Sequence, residues 1–260
     1  MTTLNILFLG DVVSQCGCDF VRKKLPAYKR FAGIDLCLAN AENSAKGNGV
    51  TPQSAQFLLS SGVDFLTTGN HAFRRREVYD YLEETETILR PYNYPSGAPG
   101  RGTGVIDMGF VRVGVINLMG TMYLDALDNP FHAVERALRE LDDCRVVLVD
   151  FHAEATSEKR AMGFFLDGRV SAVAGTHTHV QTSDDCVLPG GTGYITDLGM
   201  CGAVQSVLGV KKELVIEKFR TQLPVRFDTE ESGACALEGC LFDIDEKSGR
   251  CRSAQRVRLQ

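Results

Sequence analysis

At 260 residues, 44% hydrophobic and 23% charged, the chain has the balance of a soluble globular protein with material for a sizeable core. A net charge of −5 argues against a broad cationic face for nucleic acid, while admitting a small nucleotide or a short RNA end as substrate. No apolar run approaches the length of a membrane span. The start Met1-Thr2-Thr3-Leu4-Asn5 lacks the basic opening and cleavage site of a secretory signal, so a cytoplasmic protein with no membrane partner is expected.

Leu4 to Leu9 is a short apolar run ending at Gly10-Asp11, which predicts a buried strand. Phe20, Val21, Leu25 and Tyr28 among Arg and Lys predict an amphipathic helix over about 19–30. Ile34 to Ala39 and Val63 to Leu66 read as further strands. Between them a helix starts at Thr51-Pro52, with proline in its first turn, and is closed by Gly62. Residues 91–104, rich in Pro and Gly, read as an excursion loop. Val111 to Leu118 is a strand, and Asn129-Pro130 opens a helix carrying Val134, Leu138 and Leu141. Arg145 to Val149 and Val170 to Ala174 are strands. The alternation of strand and helix predicts an α/β fold with parallel pairing through crossover helices. Residues from about 213 to 260 alternate apolar and polar around the turn Glu246-Lys247-Ser248-Gly249, which predicts antiparallel strands on the same core. With no repeat, low-complexity tract or linker, the reading is one domain over 1–260.

Nearly every predicted strand ends in a polar island, and the ends of parallel strands are where open α/β sheets carry their sites. The islands are Gly10-Asp11, Asn40-Ala41-Glu42-Asn43, Gly69-Asn70-His71, His152, and Gly175-Thr176-His177-Thr178-His179. They hold all of the five histidines except His132, which begins a helix without ligand-like neighbours. Singly, each has an ordinary reading: Asp11 as a helix cap, Asn70-His71 as turn residues, His152 as a hydrogen-bonded structural histidine. His177 and His179 are more pointed, because residues two apart in extended chain face one side. Together the islands read as one centre for two divalent ions. Either Glu42 or Asp11 can bridge, Asn43 and Asn70 add neutral amide oxygens, and the imidazoles suit Fe, Mn, Zn, Co or Ni. With a bridging hydroxide counted, such a centre carries a charge of about +1 and attracts an anionic phosphate.

The other features read more plainly. The nine cysteines are odd in number, lack any Cys-x-x-Cys spacing and fall partly inside apolar runs, so they read as reduced thiols. Cys16-Gly17-Cys18 lies near the proposed centre, and a redox or metal role there stays open. Arg74-Arg75-Arg76 reads as a charged, solvated helix face rather than a phosphate contact. Glu154 and Ser157 are candidates for supporting the ligands, or Ser157 and Glu158 for a helix cap and its first-turn acid. Pro189-Gly190-Gly191-Thr192-Gly193 reads as a hairpin turn.

The series Gly-Asp, carboxylate island, Gly-Asn-His, His, Gly-x-His-x-His resembles the calcineurin-like metallophosphoesterase superfamily. Gly10-Asp11-Val12-Val13, Asn40-Ala41-Glu42-Asn43, Thr68-Gly69-Asn70-His71, the run Asp150 to Lys159 and the run Val173 to Thr182 are more specifically similar to the YmdB-like phosphodiesterases. Two departures from the wider superfamily belong to that narrower pattern. The usual Asp-x-His reads Asp11-Val12-Val13, and the usual second Gly-Asp reads Ala41-Glu42-Asn43. The resemblance implies a four-layer α/β/β/α sandwich, and a dimetal site with iron or manganese favoured. It assigns Asp11, Asn43 and His179 to one metal and Asn70, His152 and His177 to the other, with Glu42 bridging and His71 as general acid. It implies a phosphodiesterase that opens 2′,3′-cyclic nucleotides by in-line attack of a metal-bridging hydroxide. The rivals are a phosphomonoesterase or RNA nuclease on the same centre, and a regulatory nucleotide-binding protein with slow chemistry. The oligomeric state stays open, a homo-oligomer included.

Overall fold

In the computed structural model, which describes residues 3–260, the apolar runs become the inner strands of two six-stranded sheets. The chain runs β1 (Thr3–Val13), α1 (Ser14–Ala32), β2 (Leu36–Asn43), α2 (Pro52–Ser60), β3 (Phe65–Thr67) and a short α3 (Tyr79–Glu84). It continues through β4 (Thr103–Asp107), β5 (Arg112–Met119), α4 (Pro130–Glu140), β6 (Val146–His152), α5 (Thr156–Phe165) and β7 (Ala172–Thr176). The short strands β8 (Cys186–Val187), β9 (Gly193–Ile195) and β10 (Met200–Ala203) follow, then α6 (Lys212–Thr221), β11 (Cys235–Asp245) and β12 (Cys251–Leu259). One sheet has the order β12-β11-β10-β1-β2-β3, the other β4-β5-β6-β7-β9-β8. β1 pairs in parallel with β2 and β10, and β6 with β5 and β7.

Successive strand residues face opposite sides, and this sorts the core into layers. Ile6 and Phe8 of β1, Leu36 and Leu38 of β2, Val113 and Val115 of β5, and Val146 and Leu148 of β6 meet between the sheets. Leu7, Leu9, Cys37 and Ala39 face the other way, onto Val21 and Leu25 of α1 and Ala55 and Leu58 of α2. Ile116, Leu118, Val147 and Val149 likewise face Ala133, Val134 and Ala137 of α4 and Met162 of α5. Burial on both faces is why these strands read as continuous apolar runs rather than alternating ones. The result is the expected four-layer α/β/β/α sandwich.

Several boundaries depart from the sequence reading. α1 begins at Ser14, directly after β1, and keeps Pro26 inside it. α2 is capped as its Thr51-Pro52 start predicts: the Thr51 side chain accepts from Ser54 N at 3.1 Å. The C-terminal region is not all strand, because Lys212–Thr221 forms α6 before the β11–β12 hairpin. Only Val215 of α6 is buried, so its apolar residues suggest alternation without lining a core face. β4 lies outside the predicted elements. It is an antiparallel edge strand on β5 with no residue fully buried, and so lacks an apolar run. Arg74 and Arg75 lie outside any helix, and only Arg76 opens a short 3-10 turn (Arg76–Val78); Arg75 donates from Nε to Asn48 O (3.0 Å) and from Nη2 to Lys46 O (2.5 Å), bracing the loop after β2. The turns at Pro189–Gly193 and Glu246–Gly249 stand where expected.

Candidate metal centre

The same alternation that builds the core delivers the donors. In β6, Val146 and Leu148 face the inner layer, so Asp150 and His152 follow on that face at the strand's carboxyl end. In β2, Leu36 and Leu38 are followed on the inner face by Asn40 and Glu42. β1 needs a correction to its period. Leu7 and Leu9 face outward, so strict alternation would send Asp11 outward too. The β1–β2 register shifts between Leu9 and Asp11, and this irregularity re-aims Asp11 at the site, where its Oδ2 accepts from His177 N at 3.1 Å. Gly69 before Asn70 is fixed by space: a Cβ there would stand 2.2 Å from the His152 ring.

These ends bring together Asp11, Glu42, Asn43, Asn70, His71, His152, His177 and His179. His152 Nε2 lies 2.9 Å from Asn70 Oδ1, 3.1 Å from His177 Nδ1 and 3.3 Å from Glu42 Oε2. His179 Nε2 lies 3.3 Å from Asn43 Nδ2 and 3.5 Å from Asp11 Oδ1. His71 places Nδ1 2.9 Å from Asn43 Oδ1 and 3.0 Å from Glu42 Oε1, and its backbone N donates to Glu42 Oε2 at 3.0 Å. Asp11, Glu42 and His152 are all but inaccessible. The centre opens into a cleft of about 320 Å³, walled by His71, His177 and His179 on one side and by Val13, Leu208 and Phe227 on another.

The outward nitrogen of each clustered imidazole is pinned, and this fixes where its lone pair points. His152 Nδ1 meets Thr176 Oγ1 at 2.9 Å, and that hydroxyl donates to Asp150 Oδ1 at 2.6 Å, so Nδ1 carries the proton. His177 Nε2 faces Glu154 Oε2 at 3.0 Å, and His179 Nδ1 faces Leu208 O at 3.1 Å. Assigned this way, all three turn lone pairs inward: His152 Nε2 faces Asn70 Oδ1, Glu42 Oε2 and His177 Nδ1, and His179 Nε2 faces Asp11 Oδ1 beside the Asn43 amide nitrogen. Acceptors crowded on acceptors are costly unless a cation lies among them. Asp11 Oδ1 makes the same point, being buried with no hydrogen-bond partner. Glu42, His152 and His177 offer ligand atoms all within 4.8 Å of one another. The residues fit divalent metal ions. Among the protein groups alone, burial opposes charge on His152, but Glu42, Asp11 and Asp150 outweigh it and push its pKa up to about 9.

Two buried polar assemblies hold the imidazoles in place, and sequence reading assigned neither. The first is Asp150, which accepts from Thr176, from Asn40 Nδ2 (3.0 Å) and from Thr67. Burial pushes its carboxyl up to about 6 against these donors. The second is the buried ion pair of Lys159 Nζ and Asp197 Oδ2, 2.7 Å apart. Asp197 also accepts from Thr178 N (3.1 Å) and Thr178 Oγ1 (2.7 Å), gripping the residue between His177 and His179. Both histidines have positive φ, 97° and 61°. Such strain in non-glycine residues costs on the order of 1–3 kcal/mol each and persists only where surroundings enforce it. Asp150 and Lys159 sit inside a motif that was legible. Asp197 sits in Thr196-Asp197-Leu198-Gly199, where nothing local signals a partner far along the chain.

The remaining candidates resolve simply. Glu154 supports His177, as expected; Ser157 neither supports a ligand nor caps the helix, because α5 starts at Thr156 behind Ala155 and leaves Ser157 exposed inside its first turn. Glu158 lies in the first turn of α5 and anchors another loop, accepting from Thr121 N and Met122 N at 2.9 and 3.4 Å. Cys18 is buried, with its thiol pushed up to about 12 by burial, which makes it an inert thiol. His132 is exposed on α4. Among the described residues no helix is long and apolar enough to cross a membrane.

Two facing mixed sheets, with divalent-metal donors converging at their parallel strand ends, define a hydrolase of the metallophosphoesterase type. The chain belongs to the YmdB-like protein family, whose model matches residues 7–257. It is 41% identical to a 2′,3′-cyclic-nucleotide 2′-phosphodiesterase of Bacillus subtilis, over 98% of this chain and 96% of that protein. A solved structure described as a novel phosphatase from Mycoplasma pneumoniae superposes with a TM-score of 0.94 at 31% identity, covering 100% of this chain and 94% of the other. A hypothetical protein from Thermus thermophilus gives 0.91 at 39% identity, covering 98% and 99%.

Proposed function

We propose that this chain is a cytoplasmic phosphodiesterase that opens 2′,3′-cyclic nucleotides to phosphomonoesters at a centre of two divalent transition ions, iron or manganese by preference, and that residues 1–260 act as one domain. The observation that carries the reading is the convergence of inward lone pairs from His152, His177 and His179 beside the buried oxygens of Asp11, Glu42 and Asn70, with Asn43 adjoining. We assign Asp11, Asn43 and His179 to one ion, Asn70, His152 and His177 to the other, and Glu42 to both. When bound, the ions supply Lewis acidity toward phosphoryl oxygens and lower the pKa of water.

The protein's own groups do the rest. Asp11 and Glu42 keep the centre from excess positive charge while leaving it able to attract a phosphate anion. His71 gives Nδ1 to Glu42 and Asn43, leaving Nε2 as the ring atom that can carry a proton to the leaving ribose oxygen. Its side chain is 30% exposed and lines the cleft, as a group that meets substrate must. The apolar wall of Val13, Leu208 and Phe227 offers a surface for a nucleoside. The preference for the cyclic diester draws on the Bacillus subtilis relative and on the ease of opening a strained five-membered phosphate ring.

The test is chromatographic. Metal-loaded protein is incubated with 2′,3′-cyclic AMP, 3′,5′-cyclic AMP and AMP, and elemental analysis counts the metal. Conversion of 2′,3′-cyclic AMP to a monophosphate, with AMP stable and close to two metals per chain, is expected. Rapid phosphate release from AMP with 2′,3′-cyclic AMP untouched would establish the phosphomonoesterase rival instead.

A further inference from the structure

A second cavity, of about 560 Å³, shares no lining residue with the metal cleft. Arg90 lines it and is only 7% exposed. Its Nη1 donates to Pro91 O at 2.9 Å and Tyr92 O at 3.1 Å. Its Nε is buried with no acceptor, and among the described residues no carboxylate forms an ion pair with it. The acids in the cavity wall are engaged elsewhere. Asp128 pairs with Arg136 at 3.0 Å, and Glu140 accepts from the Tyr92 hydroxyl at 2.6 Å and the Thr103 hydroxyl at 2.8 Å.

A guanidinium stays charged in proteins, and Glu83 and Glu140 favour that charge against its burial only from beyond ion-pair distance. Two backbone carbonyls offset only part of the cost of burial. They also fix Nη1, and Nη2, which donates to no protein acceptor among the described residues, is the nitrogen left to meet an oxyanion. Beside it stands Tyr94, which lines the same cavity and whose hydroxyl has no protein partner among the described residues. Burial pushes that phenol up to about 12, so it remains a donor at neutral pH. The volume falls within the range of small-molecule sites, and the rings of Tyr92 and Tyr94 offer faces on which a base can stack. The Tyr94 ring also meets that of Phe73 edge-on, at 5.0 Å between centroids, two residues after His71.

We propose that this cavity is a second, phosphate-binding site, in which Arg90 and Tyr94 hold a phosphoryl group of a nucleotide. The phosphoryl group belongs either to a free nucleoside monophosphate or to the next phosphate along an RNA whose end occupies the metal cleft. The recognition chemistry is the same for both.

Calorimetric titration of the metal-loaded full chain with AMP tests it. Two binding events are expected in the unaltered protein. Arg90→Gln should weaken one of them by about 10- to 100-fold, the usual effect of losing a hydrogen-bonded charge. Ser96→Glu places a negative charge on an exposed rim residue; it should weaken the same event by a smaller factor, and decides the matter if Arg90→Gln does not fold. AMP binding that is absent, or that is untouched by Ser96→Glu and by folded Arg90→Gln, overturns the proposal, whatever the number of events. The source is distinguished by KM for a 2′,3′-cyclic mononucleotide against a dinucleotide ending in the same cyclic phosphate. A KM rise in Ser96→Glu for the dinucleotide alone identifies the flanking phosphate. Unchanged KM for both, with the AMP event weakened, identifies the free nucleotide. The AMP titration reads out even if neither substrate is turned over, so its outcome is separate from that of the proposed reaction.

Discussion

The two sheets contribute different chemistry to one centre. The sheet built on β1, β2 and β3 brings oxygens: Asp11, Glu42, Asn43 and, just past β3, Asn70. The sheet built on β5, β6 and β7 brings nitrogens: His152, His177 and His179. Their supports differ accordingly. The carboxylates accept backbone N–H groups, His177 N on Asp11 and His71 N on Glu42, and need no further orientation because a carboxylate oxygen is an acceptor in any rotamer. An imidazole is a ligand only in the correct tautomer, so each requires an outward partner. The second sheet therefore carries the heavier buried polar apparatus, Asp150 with its hydroxyl donors and Lys159 with Asp197. The oxygen half is fixed by main chain, and the nitrogen half by a second layer of side chains.

Substitutions can break this division at either half, and the largest effect should come from the oxygen side. Glu42 lies within reach of both His71 and His152; Glu42→Ala should reduce occupancy of both metals and lower the rate beyond the His71 variant, read by elemental analysis and turnover. His71→Ala is expected to retain the metal and lose on the order of 10²–10⁴ in rate. That loss should shrink for a p-nitrophenyl ester, whose leaving group needs little protonation. Equal losses on good and poor leaving groups would remove the general-acid role.

On the nitrogen side, Lys159→Met strands the Asp197 carboxylate in the interior and should cost about 3–5 kcal/mol in chemical denaturation. Adding Asp197→Leu should restore much of that stability but not metal affinity, because the grip on Thr178 is gone. Recovery of both together would show that the pair only fills space. Asp150→Asn is the subtlest test, since it changes almost no volume. An amide facing Thr176 turns that hydroxyl to donate to His152 Nδ1, which moves the ring proton to Nε2. Metal affinity should fall about 10–100-fold. The same variant has a pH signature. The Asp150 carboxyl, with a folded pKa of about 6 against an ordinary value of 3.8, binds its proton better in the folded protein. Its contribution to stability is present below about pH 4 and lost as pH rises to about 6. Asp150→Asn should lack that slope in denaturation midpoints across this window.

Local sequence determined a good deal. Runs such as Leu4–Leu9 and Arg145–Val149 have the length and apolarity of doubly covered strands, and polar residues at their ends must lie where helices no longer cover the sheet. Donor type is written in the residues themselves, so Asp11, Glu42, Asn43, Asn70, His152, His177 and His179 were legible as one set. Local signals failed where stability comes from distant partners. β4 exists because β5 offers an open edge, not because Thr103–Asp107 favours a strand. The residues of α6 alternate in type, but few of them pack on anything, so the pattern carried no depth information. Only the tertiary structure decided that Asp11 turns inward, through a register shift against β2. Only it decided which nitrogen of each histidine faces the centre, because tautomers are set by hydrogen-bond partners such as Thr176, Glu154 and Leu208. Asp197 reaching Thr178 and Lys159, and Arg90 lacking an ion-pair partner among the described residues, are likewise properties of neighbourhood: a side chain's chemistry is local, but its satisfaction depends on what the fold brings beside it.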